Sequence, residues 1–303
     1  YLSKGTDMLS PLWQRLGILL GIGLGSLCWL GILPSLQNPT GADGLVLMDM
    51  SSIISALVLL LIASIPSIFL GTILSTMGRF TAGVCIFSGS LLVLAYWAGP
   101  SVGWLNRAQI PGDYWKLIVE TVIWQLFVLA GILVMNHFRP LVHKQLPQLL
   151  KEGPAWKTKL RFPATRELAA AMISTIIAGI MAYLLIRNAS SKQVLASLFL
   201  SFALGAGIGQ TMMPNTNPIA IFLSPGIVAI LSYLMVVMRY DDSNQLYHAI
   251  YIGTEPGVSL FDLFPGSALA LPIQYFSAGI LGCSIGVGIV RAATDQQDET
   301  ELA

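Results

Sequence analysis

The chain has 303 residues, of which 55% are hydrophobic and only 10% charged, and its mean hydropathy is +0.74. Soluble domains carry about a quarter charged residues, so a water-soluble globular domain is excluded. The formal net charge of +1 also argues against nucleic-acid binding, because neutralising a phosphate backbone takes a concentrated basic face.

A hydrocarbon core about 30 Å thick takes about 20 helical residues to cross, and every backbone polar group inside it must be bonded internally. Uncharged runs measured against that length predict an all-α integral membrane protein with eight transmembrane helices. They fall at 14–36, 50–76, 79–99, 115–138, 166–187, 193–213, 218–239 and 267–291. The first run follows Lys4 and Arg15 and extends from Leu16 to Leu36. It is longer than the roughly 7 to 15 residues of a signal-peptide core, and Leu27 before Cys28 departs from a lipoprotein cleavage pattern, so it is expected to be a retained span. Residues 193 to 238 contain no Asp, Glu, Lys, Arg or His. Met213-Pro214-Asn215-Thr216-Asn217-Pro218 divides them, since prolines remove backbone donors and push their neighbours out of helical conformation. That segment reads as a turn between helices or as the tip of a re-entrant hairpin.

Lys and Arg are retained on the cytoplasmic side of a membrane. The 139–165 segment holds Arg139, Lys144, Lys151, Lys157, Lys159 and Arg161 against Glu152, and is expected to be a cytoplasmic loop touching anionic lipid headgroups. Eight spans then place Lys4, Arg15, Arg79, Arg166 and Arg291 on the same side, with both termini cytoplasmic, in what reads as a bacterial inner membrane. The opposite face carries Asp43, Asp49, Asp113, Asp241, Asp242, Glu255 and Asp262. The chain divides into a membrane half at 1–138, the basic loop at 139–165, a second membrane half at 166–292 and an acidic tail at 293–303, expected to be unstructured.

The halves can be overlaid at an offset of 154 residues, as two parallel four-helix repeats. Ile110-Pro111-Gly112-Asp113 precedes the fourth span as Phe264-Pro265-Gly266-Ser267 precedes the eighth. An even number of spans per half keeps both in one orientation, with a pseudo-two-fold axis along the membrane normal.

Glu120 is the acid in the interior of a predicted span, one to two turns below the interface marked by Tyr114 and Trp115. Ionisable groups at such depth face the bundle interior or a water-filled cavity; the alternative is that Glu120 reaches headgroup water or pairs with Lys116 at i, i+4. The overlay places Gln274 opposite Glu120. With Asn215 and Asn217 in the 214–218 segment, these form the candidate solute or ion site, while Gln125 and Gln210 fit hydrogen bonds between helices. Glycines recur four apart at Gly17, Gly21 and Gly25, at Gly205 and Gly209, and at Gly282 and Gly286, a pattern that lets helices approach closely within a bundle or between subunits. Gly21-Ile22-Gly23-Leu24-Gly25 follows no strand and is not a nucleotide loop.

Cys28, Cys85 and Cys283 fall in apolar segments without paired spacing and read as small buried hydrophobes. His137, His143 and His248 lack metal-ligand spacing. No nucleophile elbow, zincin helix or paired intramembrane carboxylate occurs, so neither catalysis, cofactor nor metal is expected. The 240–267 segment combines Tyr240, Tyr247 and Tyr251 with acids and could lie on the membrane as a short amphipathic helix. Two functions compete. One is a non-catalytic subunit or scaffold of a membrane assembly, joined to other membrane subunits or to copies of itself; the alternative is a transporter or channel for a small solute or ion with a cavity near Glu120.

Overall fold

The computed structural model describes residues 11–36, 44–50, 52–77, 80–105, 108, 110–145, 164–214, 216–252 and 264–301. Among the described residues there is no strand, and eight helices are long and apolar enough to cross a membrane. They are α1 (Pro11–Leu36), α2 (Ile53–Met77), α3 (Phe80–Trp97), α4 (Tyr114–Gln145), α5 (Thr165–Leu185), α6 (Ser191–Met212), α7 (Ser224–Arg239) and α8 (Ile280–Glu301). A 3-10 helix, Pro218–Leu223, leads into α7; a short α turn, Pro272–Gln274, and a π turn, Tyr275–Gly279, lead into α8.

These segments are apolar on nearly all sides, as helices in lipid must be, and hydrogen bonds within each helix satisfy the backbone that lipid cannot. Pro66 lies inside α2. Nearby hydroxyls bond to backbone carbonyls, Ser64 Oγ to Leu61 O at 2.7 Å and Ser67 Oγ to Ser64 O at 2.9 Å.

Three boundaries differ from the sequence expectation. Helix α4 passes Pro140 and ends at Gln145; a proline costs one intrahelical bond, a loss that water can offset at the edge of a membrane but not in its core. The eighth span starts at Pro272 rather than 267, because Gly266–Leu269 forms a 3-10 turn and Pro272 then takes the first helical position, where its missing N–H costs nothing. The acidic tail, expected to be unstructured, instead continues α8 to Glu301.

Helix α1 packs on α2 and α3, and α2 packs on α3 and α4; in the second half α5 packs on α6 and α7, and α6 on α8. The halves meet along two seams, α4 against α7 and α3 against α8. Phe87, Leu91 and Leu94 of α3 and Phe202, Tyr275 and Phe276 of the second half are buried there. Helices α1 and α2 turn large apolar side chains outward, with Leu19 65% and Ile54 77% exposed, as lipid-facing surfaces do.

The connections at one end of the bundle carry short elements. Leu47–Asp49 is a 3-10 turn between α1 and α2, Val102–Leu105 a short helix between α3 and α4, and Pro111–Asp113 a 3-10 turn entering α4. Gly44 adopts φ +91°, a conformation that suits glycine. Its N–H donates to Ala98 O at 2.9 Å, and a Cβ there would meet Leu271 Cδ1 and Pro100 O, so connections from both halves close over this end. Beyond α7, Asp242 caps a helix at Ser243–Tyr247, its Oδ1 accepting from Gln245 N at 2.8 Å, followed by a π turn at His248–Ile252. Residues 253–263, with Glu255 and Asp262, lie outside the described residues, as do 146–163 of the basic loop.

Candidate functional site

Glu120 stands two turns into α4 with no exposed surface. Its Oε1 accepts from Trp124 Nε1, one turn on, at 3.1 Å, and its Oε2 accepts from Met48 N at 3.4 Å. The carboxylate thus fastens the α1–α2 connection to α4. It does not reach headgroup water, and Lys116 pairs with Asp113 at 3.0 Å instead. Among the described residues no Lys, Arg or His forms an ion pair with Glu120.

Gln274 is equally sealed. Its Oε1 accepts from Leu271 N at 2.9 Å, while its Nε2 is buried without a hydrogen-bond partner. The Pro272–Gln274 turn packs against α4, so Glu120 and Gln274 occupy the same end of the junction between the halves. The π turn follows at once. Wide turns of this kind interrupt the regular ladder and recur at functional sites, and here the Gln274 carbonyl accepts from Ser277 Oγ at 3.2 Å.

Aromatic side chains surround the pair. Tyr233 of α7 donates through its hydroxyl to Ala270 O at 2.6 Å, and Tyr275 donates to Ser267 O at 2.9 Å. Ser232 Oγ donates to Ser267 Oγ at 2.8 Å. The Tyr233 ring lies 6.4 Å from Tyr275 and 6.1 Å from Tyr114, and Tyr233 is within electrostatic reach of Glu120. Beyond Glu120, Trp124 meets Phe127 at 5.6 Å and Phe127 meets Trp29 at 6.4 Å; the buried Trp29 Nε1 has no hydrogen-bond partner.

The other polar candidates lie at the opposite end. Asn217 accepts from Ile219 N at 3.1 Å and caps the 3-10 helix before α7; Asn215 lies outside the described residues. Buried Gln210 donates to Met213 O at 3.3 Å and Pro214 O at 2.8 Å, and Arg291 donates to Thr216 O at 2.8 Å. Asn217 is therefore not brought to Glu120 and Gln274. Between the ends, Gln125 Nε2 donates to Phe222 O at 3.4 Å, and Ser224 links Ser174 at 3.5 Å with Cys283 at 3.7 Å. All three cysteines are free, Cys85 and Cys283 buried, and among the described residues no group of three His, Cys, Asp or Glu could hold a metal.

The glycines face helices of the same chain. A Cβ at Gly17 would meet Leu74, at Gly21 Ile86, and at Gly25 both Ser67 and Ser90. At Gly205 and Gly209 it would lie 2.7 Å from the carbonyls of Ser174 and Ala170, and at Gly282 and Gly286 it would run into the carbonyls of Phe199 and Ala203.

Sequence reasoning missed Trp124, the Met48 N–H, Tyr233, Tyr275 and Ser267. Trp124 was readable at i+4 from Glu120; the others come from chain more than 70 residues away from it, and no local pattern marks them. Comparison with known proteins adds no relative: no family model, no curated protein and no solved structure matches the chain.

Proposed function

We propose that this polytopic membrane protein is a transporter for a small solute or ion, with Glu120 at the binding centre. One observation carries the reading: a carboxylate fully buried inside a span, at the junction of two four-helix halves, with no countercharge among the described residues. A charged group at that depth is costly, and an intramembrane carboxylate is by default a functional group. The proposed role is binding and release, without covalent chemistry.

Alternating access between two repeats would give such a site its motion, and the packing supports that reading. Exchanging the halves turns the α3–α8 seam into the α7–α4 seam, α1–α2 into α5–α6, α2–α4 into α6–α8, and α1–α3 into α5–α7, and each of these pairs is in contact; the α2–α3 packing has no comparable counterpart between α6 and α7. The turns Pro111–Asp113 and Gly266–Leu269, which overlap at the 154-residue offset, are both 3-10 turns that precede an inward-running span. The competing subunit reading drew on the glycine faces as partner surfaces. Those faces are occupied by the chain's own helices and lend it no support. With the basic residues cytoplasmic, Glu120 lies nearer the external side.

The test is flux into proteoliposomes of the purified protein, following internal pH and membrane current while protons, sodium, potassium and a panel of small amines are imposed as gradients. Wild-type protein should move at least one of them, and Glu120→Gln should abolish that movement while keeping a cooperative thermal unfolding transition. Unaltered flux in the variant would remove Glu120 from the site. An absence of any flux, with stoichiometric foreign chains co-purifying from the native membrane, would return the protein to the role of assembly subunit.

A further inference from the structure

We propose that the site selects a small organic ammonium ion that also carries a hydrogen-bond acceptor, with Glu120 binding the positive head and Gln274 Nε2 donating to the acceptor. This rests on the transport reading and names its substrate class. Four features of the site lead there.

The charge comes first. Glu120 has no cationic partner among the described residues, and the groups that hold it, the Met48 N–H and the Trp124 indole, are neutral donors that bring no countercharge. A carboxylate buried in lipid without a countercharge offers a place to a cation.

The second feature decides between a metal ion and an ammonium. Alkali and alkaline-earth ions are bound by several oxygens arranged around them. The direct contacts to Glu120 are N–H donors; one further carboxylate, Asp49, lies within electrostatic reach and adds negative charge, and the nearby carbonyls of Ala270 and Ser267 already accept from Tyr233 and Tyr275. A carboxylate among aromatic rings is instead an arrangement that suits an organic ammonium, through charge and through apolar surface for its carbon atoms. Trp124 and Tyr233 bring such rings from the two halves, Trp124 bonded to Glu120 through the N–H on its ring edge and Tyr233 within electrostatic reach of it.

The third feature is the amide. Leu271 N fixes the Gln274 side chain through Oε1, which leaves Nε2 fully buried and unsatisfied. Such an atom costs stability unless something accepts from it. It sits on a turn packed against α4, the helix that carries Glu120, and a solute that carries an acceptor as well as an ammonium would complete both groups.

Last, both groups are sealed, so entry requires the cover to move. The Met48 N–H contact to Glu120, at 3.4 Å, is long for a hydrogen bond and is the one the ammonium would replace. Release of the Leu47–Asp49 turn from Glu120 opens the site from the external end.

The experiment measures equilibrium binding of radiolabelled ethanolamine to the purified full-length protein in detergent, in competition with ethylammonium, which lacks the hydroxyl acceptor, and with sodium chloride at constant ionic strength. Ethanolamine should bind about tenfold more tightly than ethylammonium, the worth of one buried hydrogen bond, and sodium should not displace it. Glu120→Gln should weaken both amines by about a hundredfold or more. Gln274→Met, close to isosteric, should erase the tenfold preference between the two amines; this ratio reports on the site even if Glu120→Gln proves unstable. Equal affinity for the two amines in wild type, displacement by sodium, or absence of saturable ethanolamine binding would overturn the proposal. Binding that depends on Glu120 and Gln274 without flux upholds the substrate class and defeats transport. Flux of protons or sodium that Glu120→Gln abolishes, without amine binding, does the reverse.

Discussion

Two regions of the molecule are built on glycines four residues apart and use them differently. Along the seam between α6 and α8, Gly282 and Gly286 lie against backbone: a Cβ on either would run into the carbonyl of Phe199 or Ala203. On the face that α1 presents to α2 and α3, Gly17 and Gly21 lie against side-chain ends, the Leu74 methyl and the Ile86 side chain, each 3.0 Å from the position of a Cβ. A carbonyl oxygen in a packed helix cannot retreat without moving the helix, whereas a methyl group can change rotamer. The same spacing therefore marks a rigid seam in one place and an adaptable contact in the other. The rigid seam joins α8 to α6 within the half that holds Gln274; the adaptable face belongs to the half whose α1–α2 connection covers Glu120.

The difference yields a graded series of substitutions, each read as the loss of unfolding stability of the purified protein in one detergent. Gly282→Ala and Gly286→Ala should cost most, about 3 kcal/mol or more apiece, because overpacking against backbone cannot be relieved locally. Gly205→Ala and Gly209→Ala, where the added carbon would sit 2.7 Å from the carbonyls of Ser174 and Ala170, should cost about 2 kcal/mol each. Gly17→Ala and Gly21→Ala should stay within about 1 kcal/mol, since the neighbours give way. If Gly21→Ala proved as damaging as Gly286→Ala, the distinction between the two regions would fail. Gly25 sharpens the comparison from inside α1, for it lies between the Cβ atoms of Ser67 and Ser90 at 3.1 and 3.0 Å. Those atoms are fixed to the backbone, so Gly25→Ala should fall between the extremes.

Hydrophobicity and length made the eight spans legible, because lipid imposes one ruler on every helix. Where water competes, at Pro140 and in the acidic tail, the ruler stops applying, and there the helices outrun the expectation. Glu120 was legible as an acid in an apolar run, and Gln274 as its counterpart at the 154-residue offset. What pairs with them was not. The Met48 contact uses backbone N–H, which every non-proline residue carries, and the unsatisfied Nε2 of Gln274 exists only because Leu271 N takes the amide oxygen. Asn217 shared the polar character of the other candidates but sits where α6 turns into α7, and residue type alone could not separate the two ends of the bundle. For the glycines, spacing revealed that helices come close, but not whether backbone or side chain waits on the other side.

The smallest effect in the series has the opposite sign and tests the premise from outside the packed regions. Gly23 and Gly31 belong to α1, yet nothing lies within 4 Å of a Cβ at either position, and both point outward from the bundle. With no neighbour to strain, the remaining term is the backbone: glycine in a helix interior costs about 0.5–1 kcal/mol relative to alanine. Gly23→Ala and Gly31→Ala should therefore raise stability by up to that amount, while Gly21→Ala, two residues before Gly23 on the same helix, should not. A loss at Gly23 or Gly31 would mean that something outside this chain packs against α1 there, and would make α1 the surface through which a second subunit joins.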